Sequence, residues 1–368
     1  MRGTRILTEA DRLMTVCNSC RYCEGLCAVF PAMEMRRAFS DGDLNYLANL
    51  CHACGACYTD CQFSPPHEFD VNVPKTLAVA RADSYAAYAW PRAFSGLFAR
   101  NGLAVSLIAA FSVAAFIVGF AAFLDHQVLF GIHTGPGAFY ALMPHNALVV
   151  LFGVAFLYAI LALGLSMRAF WRDIGEPVGQ RSDAPSLWQA TKDAGSLRYL
   201  DGGGVGCFNK DDQPTDRRKI FHHLTFYGFL LCFAATCIAT LYHYLLAREA
   251  PYAWWDLPVV LGTLGGIGLM IGPIGLLVAK WQRDPVLTDV ARTGMDAAFI
   301  LMLLLTSATG LALLVLRDTA AMGPLLALHL GFVFALFITL PYGKFVHGLY
   351  RFVALLRYAR ERRMMGHV

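Results

Sequence analysis

The chain has 368 residues, 57% of them hydrophobic and only 15% charged, with a mean hydropathy of +0.49. Soluble domains carry roughly 25% charged residues, so the composition excludes an ordinary soluble protein and points to a membrane protein long enough for two domains. A net charge of +4 is too small to suggest a nucleic-acid partner, and none is expected.

The first stretch, Met1 to Leu13, is short and charged and lacks the apolar core of a signal peptide, so the polar region that follows is expected to stay in the cytoplasm. That region is mixed in character, and the apolar runs begin after Arg100. A cytoplasmic domain over residues 1–90 and a membrane domain over 91–368 are the expected division.

Eight of the eleven cysteines lie between Cys17 and Cys61, in two runs: Cys17, Cys20, Cys23, Cys27 and Cys51, Cys54, Cys57, Cys61. Each run has the C-x2-C-x2-C-x3-C spacing of bacterial ferredoxins. Three cysteines at that spacing wrap one turn of chain around three corners of a [4Fe–4S] cubane, and the fourth corner is filled from elsewhere. In two-cluster ferredoxins the fourth cysteine of each run serves the other cluster. The expected ligand sets are therefore Cys17, Cys20, Cys23 and Cys61 for one cluster, and Cys51, Cys54, Cys57 and Cys27 for the other. Zinc needs only four ligands per site, usually in separated pairs, and disulfides do not suit a reducing compartment.

Ala28 and Gln62 follow the fourth cysteines, where ferredoxins usually have proline; the prolines come later, at Pro31, Pro65 and Pro66. The segment Ala32 to Leu50 reads as helical, with Asp41 as the cap before Leu44, Leu47 and Leu50. This pattern resembles the all-helical ferredoxin of succinate dehydrogenase iron–sulfur subunits rather than the small β-sheet type.

A membrane span needs roughly 20 apolar residues. Six are expected, at about 101–124, 145–169, 220–246, 256–280, 294–316 and 325–350. The fourth contains Pro273 and a run of glycines, and the sixth contains Pro341. Lysine and arginine gather in alternate connections. The loop 169–219 carries Arg172, Arg181, Lys192, Arg198, Arg217, Arg218 and Lys219; Lys280, Arg283 and Arg292 follow the fourth span, and Arg351, Arg357, Arg360, Arg362 and Arg363 fill the tail. The opposite connections hold only Arg248 and Arg317. Both termini and the loop 169–219 are thus expected on the cytoplasmic side of a cell inner membrane, with the lipid bilayer itself as partner. The fold class expected is all-α: a helical two-cluster ferredoxin-like domain fused to a six-helix transmembrane bundle.

Histidines recur at the span ends: His222, His223 and His243 on the third, His329 and His347 on the sixth. Ionisable residues in a membrane are a functional hypothesis by default, and neutral imidazole is an axial haem ligand. His329 and His347 are eighteen residues apart, which on one helix is five turns, so both project from one face roughly 27 Å apart. His222 shares a face with His243 better than His223 does, and His223 remains the reserve. Because spans three and six run oppositely, His222 pairs with His347 near the cytoplasmic side and His243 with His329 near the outer side. One or two b-type haems are expected there. His126, His133 and His145 read as interfacial, with a quinone pocket as their other reading.

Gly262, Gly265, Gly266, Gly268, Gly272 and Gly275 suit close helix packing or the approach of a flat macrocycle, and no strand precedes them as a dinucleotide fingerprint requires. The loop Asp201 to Gly206 reads as a flexible turn, with folding over the cluster domain alongside Cys207 as its other reading; Cys207 itself is not expected as a ligand, since eight cysteines satisfy two clusters. No flavin or nicotinamide site is legible, so a separate flavoprotein is expected to handle hydride chemistry.

The cysteine runs, the segment Leu197 to Cys207, the run Phe221 to Phe229 and the stretch Leu340 to His347 together resemble the tricarballylate-utilization protein B family, also called citrate-utilization protein B. The last stretch also resembles the haem-binding final helix of nitrate reductase gamma subunits, where two histidines ligate two b-haems; His329 and His347 match that pattern. The resemblance implies a role. A partner FAD-dependent tricarballylate dehydrogenase oxidises its substrate, and this chain reoxidises the flavin through two [4Fe–4S] clusters and haem b, passing electrons to the quinone pool. The same wiring also suits the iron–sulfur and cytochrome b subunit of another quinone-linked dehydrogenase or reductase. A transporter or redox sensor is the reading from a different class, but transporters tend to have broken helices in repeated halves, and only span four looks broken.

Overall fold

Thr4 opens the first helix by accepting the Leu7 amide on its side chain, and α1 runs Arg5–Cys20. This is a computed structural model, and it describes residues 3–175, 183–211 and 213–365; Arg181, counted among the loop cations, lies outside them. After α2 (Val29–Glu34), Ser40 starts α3 (Asp41–Leu50). The Ser40 hydroxyl accepts the Asp43 amide at 3.1 Å, and the Asp43 carboxylate accepts the Ser40 amide at 3.2 Å. This reciprocal capping box satisfies two orphan donors, so the cap is Ser40 and not Asp41, which sits in the first turn. The short α4 (Ala56–Thr59) and then α5 (Val73–Tyr88), capped by Asn72, complete the cysteine-bearing unit. Leu7, Leu13, Met14, Met33, Leu44, Leu47 and Leu77 are buried in its core.

A 3-10 segment, Arg92–Phe98, leads into α6 (Asn101–Phe123). Two short helices, α7 (His126–Leu129) and α8 (Ala138–Leu142), precede α9 (His145–Asp173), and α10 (Ala184–Gly195) follows it. A two-residue strand, β1 (Cys207–Phe208), pairs antiparallel with β2 (Pro214–Thr215), Cys207 opposite Thr215. Then come α11 (Arg217–Leu246), α12 (Leu257–Gln282), α13 (Thr293–Leu316), α14 (Met322–Thr339) and α15 (Val346–Met364). Among the described residues, six helices are long and apolar enough to cross a membrane. Their outer faces carry exposed large apolar side chains such as Leu107, Phe111, Val118, Val154 and Leu264, as lipid-facing surfaces do.

The glycines of α12 set its distance from α11. A Cβ at Gly265 would stand 2.7 Å from the Gly228 carbonyl oxygen, and one at Gly268 3.0 Å from that of Leu224. Backbone meets backbone, which only small residues permit. Helix α12 runs without a break through Pro273.

The sixth span departs from expectation. One helix over 325–350 is expected, but α14 ends at Thr339, Leu340–Tyr342 form a 3-10 turn, and Gly343 is extended (φ −135°, ψ −167°). Pro341 has no amide to donate and its ring opposes the carbonyl four residues back, and the chain re-enters helix only at Val346. His329 and His347 therefore sit on two helices, and the argument from five turns of one helix does not apply to them.

Helix α15 leaves the apolar bundle and packs into the core of the cysteine-bearing unit through Val346, Tyr350, Val353 and Ala354. Ion pairs seal that junction. Asp43 receives Arg36 at 2.7 Å and Arg357 at 2.9 Å, Glu361 receives Arg357 at 2.8 Å, and Arg36 also reaches Glu361. Both guanidinium groups stack over the Tyr46 ring, whose hydroxyl donates to Glu361.

Candidate metal centres

The two cysteine runs interleave. Cys17, Cys20, Cys23 and Cys61 line one cavity, walled by Val16, Phe30, Phe63 and Val71. Cys27, Cys51 and Cys54 line a second, and Cys57 borders both, so the two sites are neighbours. Local structure explains the grouping. Cys17 and Cys20 lie on the last turn of α1, and Arg21 in the left-handed conformation (φ 56°) turns the chain toward Cys23. Cys51 closes α3, and Gly55 (φ 94°) turns the chain into α4, which carries Cys57.

Burial pushes the Cys17 thiol up to about 12, with the nearby Cys23 and Cys61 adding to it, and burial pushes Cys54 up to about 11. Free thiolates are disfavoured here unless a cation joins them. Among the described residues, no three histidine, cysteine, aspartate or glutamate side chains converge as ligands of a single metal ion do. The sulfurs surround cavities instead, which suits a multi-iron cluster.

The sites differ in surroundings. The first lies beside exposed Arg21, Tyr22, Glu24 and Gln62, with Tyr22 72% exposed. The second is enclosed. Cys51, His52, Ala53, Gly55 and Ala56 are buried, and the loop Asp201 to Phe208 closes over it. Phe208 donates its amide to the Cys54 carbonyl at 2.9 Å. Gly203, in the left-handed region (φ 82°), lies so close to Leu26 that a Cβ there would meet its carbonyl oxygen at 2.1 Å. Cys207 donates its thiol to Leu200 at 3.2 Å.

Four arginines grip the carbonyls that begin the second run. Arg351 donates to Cys51 at 2.8 Å, Arg218 donates to His52 at 3.0 Å, and Arg81 and Arg283 donate to Cys51 and Ala53. They come from α15, α11, α5 and the end of α12. Burial holds His52 well below its ordinary value, helped by Arg351, Arg218 and Arg81, so it is neutral. In the sequence Arg218, Arg283 and Arg351 read only as topology signals, and Arg81 and His52 do not stand out. Their signal is spatial, and the position of His52 directly after Cys51 is its only trace in the sequence.

Of the histidines, His222 and His347 are brought together, with ring centroids 6.0 Å apart and planes at 73°. His347 Nδ1 donates to the Lys344 carbonyl, which fixes that ring and leaves Nε2 unspent. Burial, with Lys344, Arg351 and His222 nearby, holds His347 neutral. His222 Nδ1 is buried without a hydrogen-bond partner. Imidazole–metal bonds of about 2 Å on each side of one iron place axial ring centroids about 6 Å apart, so this pair fits bis-histidine ligation. His223 turns away and stacks on Tyr227.

The outer pair is different. His243 stacks on His145 with centroids 3.8 Å apart and also meets Tyr140 and Tyr244. His329 is hydrogen-bonded through Nδ1 to Thr309 at 3.0 Å, with Gly310 against its ring. The imidazole ring set against His243 is thus that of His145 and not that of His329. Two rings stacked face to face at that distance leave no room for a metal between them.

A helical unit with two four-cysteine sites, joined to six membrane-length helices, defines a membrane protein of the iron–sulfur type. Residues 10–87 match the citrate utilization protein B Fer4-like domain, and residues 96–367 match citrate utilization protein B. The chain belongs to the citrate utilization protein B family. It is 51% identical to citrate utilization protein B of Escherichia coli over 367 residues, covering 98% of this chain and 94% of that one. No solved structure matches it.

Proposed function

We propose that this chain is a membrane electron carrier that reoxidises a partner flavoprotein, an FAD-dependent dehydrogenase of tricarballylate or a citrate-like tricarboxylate, and delivers the electrons to membrane quinone. Two [4Fe–4S] clusters and b-type haem supply the one-electron chemistry when bound. The chain's own residues hold them: Cys17, Cys20, Cys23 and Cys61 for the first cluster, Cys51, Cys54, Cys57 and Cys27 for the second, and His222 with His347 for haem. His243 and His329 remain assigned to an outer site in the two-haem form of this reading, without mutual contact in the fold described. The division proposed is a cytoplasmic domain over 1–90 and a membrane domain over 91–368, in the inner membrane, with both termini cytoplasmic as the lysine and arginine distribution indicates.

The observation that carries the reading is the gradient in exposure. One cysteine set opens beside exposed side chains, where a soluble donor can dock. The other is enclosed by Arg218 and Arg351, which lie next in space or sequence to the His222–His347 pair. That order runs from solvent toward the membrane, as a carrier between a soluble flavoprotein and a lipid-soluble acceptor requires.

The test is an optical spectrum of purified, detergent-solubilised protein, oxidised and then dithionite-reduced, with iron and haem quantified. A sharp reduced α-band and about eight non-haem irons per chain are expected. Iron without haem overturns the histidine assignment. Absence of both iron and haem overturns the carrier.

A further inference from the structure

Between the start of α6, the middle of α9 and the end of α14 lies a cavity of about 250 Å³. Phe94, Val105 and Ile108 form apolar walls, and the Phe94 ring stands edge-on to Tyr342 with centroids 5.3 Å apart. Polar groups of Tyr158, Tyr342, Asn101 and Thr339 interrupt this lining. The Tyr158 hydroxyl lies 2.6 Å from that of Tyr342, and Tyr342 donates to the Trp90 carbonyl at 3.1 Å. Tyr342 spends its single proton on Trp90, so Tyr158 supplies the proton between the two hydroxyls and its own oxygen lone pairs are unspent. Asn101 also lines the cavity and is only 4% exposed. Its amide donates to Leu97 and Tyr342, while its Oδ1 has no partner.

We propose that this cavity binds the headgroup of the membrane quinone, a deepening that rests on the proposed function. The cavity is cut into membrane-length helices, so a lipid-soluble ligand reaches it directly. No charged side chain lines it, which disfavours an anionic lipid headgroup. An acyl chain makes no use of a hydroxyl or an amide oxygen. A quinone is a flat apolar ring with polar edges, and the edge changes character with redox state: a carbonyl accepts, a quinol hydroxyl donates. Tyr158 serves both, donating to the quinone by rotating its proton away from Tyr342, and accepting from the quinol with its free lone pairs. The volume holds one ring system and leaves an isoprenoid tail in lipid. The break at Leu340–Tyr342 that brings Tyr342 to this cavity also carries the chain on to His347, beside His222, so the acceptor lies next along the chain from the haem pair.

The experiment uses the full chain in phosphatidylcholine nanodiscs with a photoreactive azidonaphthoquinone, and the labelled peptides are mapped by mass spectrometry. Label within 94–108, at Tyr158 or within 338–342, displaced by excess unlabelled naphthoquinone, is the expected result. Tyr158→Phe is expected to weaken binding roughly tenfold, and Ile108→Trp, which fills the cavity and keeps the hydroxyl, to abolish labelling; iron content and unfolding temperature stay unchanged in both. Displaceable label elsewhere overturns this site and leaves quinone as acceptor. Label here that naphthoquinone does not displace makes the cavity a lipid pocket and overturns the site. Absence of displaceable label anywhere overturns the site and the acceptor together.

Discussion

The Arg351 guanidinium on α15 donates to the Cys51 carbonyl across 2.8 Å and to that of Asn49 at 3.3 Å. The helix after the last span thereby holds the loop that opens the second cysteine run. Arg81, Arg218 and Arg283 bind the same loop. Positive charge beside a cluster favours its reduced form, so in the proposed carrier this clamp would raise the potential of the second site relative to the first.

Arg351→Gln is accordingly expected to lower the midpoint potential of the second cluster by roughly 50–100 mV, the scale of one unit charge at an effective dielectric of about 20. The first cluster should move far less. A redox titration followed by electron paramagnetic resonance reads both. Equal shifts at the two clusters, or none, would reduce the clamp to a structural role.

The crossing of the runs is testable by iron count. Cys61 belongs to the second run in sequence and to the first cavity in space. Cys61→Ser should leave about four irons per chain, with the remaining signal that of the arginine-clamped cluster. Loss of that cluster instead would mean each run serves its own site. Cys207→Ser should keep both clusters, because its thiol is already given to Leu200.

Features read best from the sequence depend on local chemistry. Two cysteine runs at cluster spacing, and spans that must each supply roughly 20 apolar residues, show their partners within a few turns of chain. The start of α6 at Asn101 and the ends of α11 and α13 at Leu246 and Leu316 fall where apolar composition places them. What escaped depends on geometry that composition does not carry. Pro341 was visible, but its effect, breaking the span before His347, turned on Gly343 offering an extended link. Asp41 and Ser40 are both good caps, and only the reciprocal bond to Asp43 selects Ser40. The arginine clamp joins four distant segments, and His145 meets His243 across 98 residues, pairings for which one sequence holds no local signal.

The histidine pair predicts a selective loss of haem. His222→Ala and His347→Ala should each remove the same haem and its share of the reduced α-band, because the two ring centroids lie 6.0 Å apart. His223→Ala should retain it, since His223 stacks on Tyr227. Haem quantified as its pyridine complex distinguishes these variants. Haem loss in His223→Ala with retention in His222→Ala would reverse the assignment.

Helix contact between α11 and α12 gives a packing prediction. A side chain at Gly265 meets the Gly228 carbonyl oxygen at 2.7 Å and Cys232 Sγ at 2.8 Å. Both neighbours include backbone, so neither can move aside cheaply. Gly265→Leu should cost at least about 1–3 kcal/mol and lower the unfolding temperature in detergent. Gly119→Leu is the control, since a Cβ there meets nothing within 4 Å. Similar losses in both would show that the close approach is not what holds the pair.

The junction between α3 and α15 should be acid-sensitive through Asp43. Burial alone would raise its carboxyl, but hydrogen bonds from Arg36 and Ser40 and the charge of Arg36 hold it below the ordinary carboxylate range. A folded value below the unfolded one of about 3.9 means the group stabilises the fold fully above that value. This contribution fades as pH falls through the folded value. Thermal unfolding measured from pH 7 downward should therefore show wild-type stability falling below about pH 4. Asp43→Asn leaves Arg36 and Arg357, whose side chains are only 9% and 10% exposed, with Glu361 as their remaining carboxylate. It should cost about 1–3 kcal/mol at pH 7 and flatten the acid limb. An acid limb as steep in the variant as in the wild type would place the titrating group elsewhere.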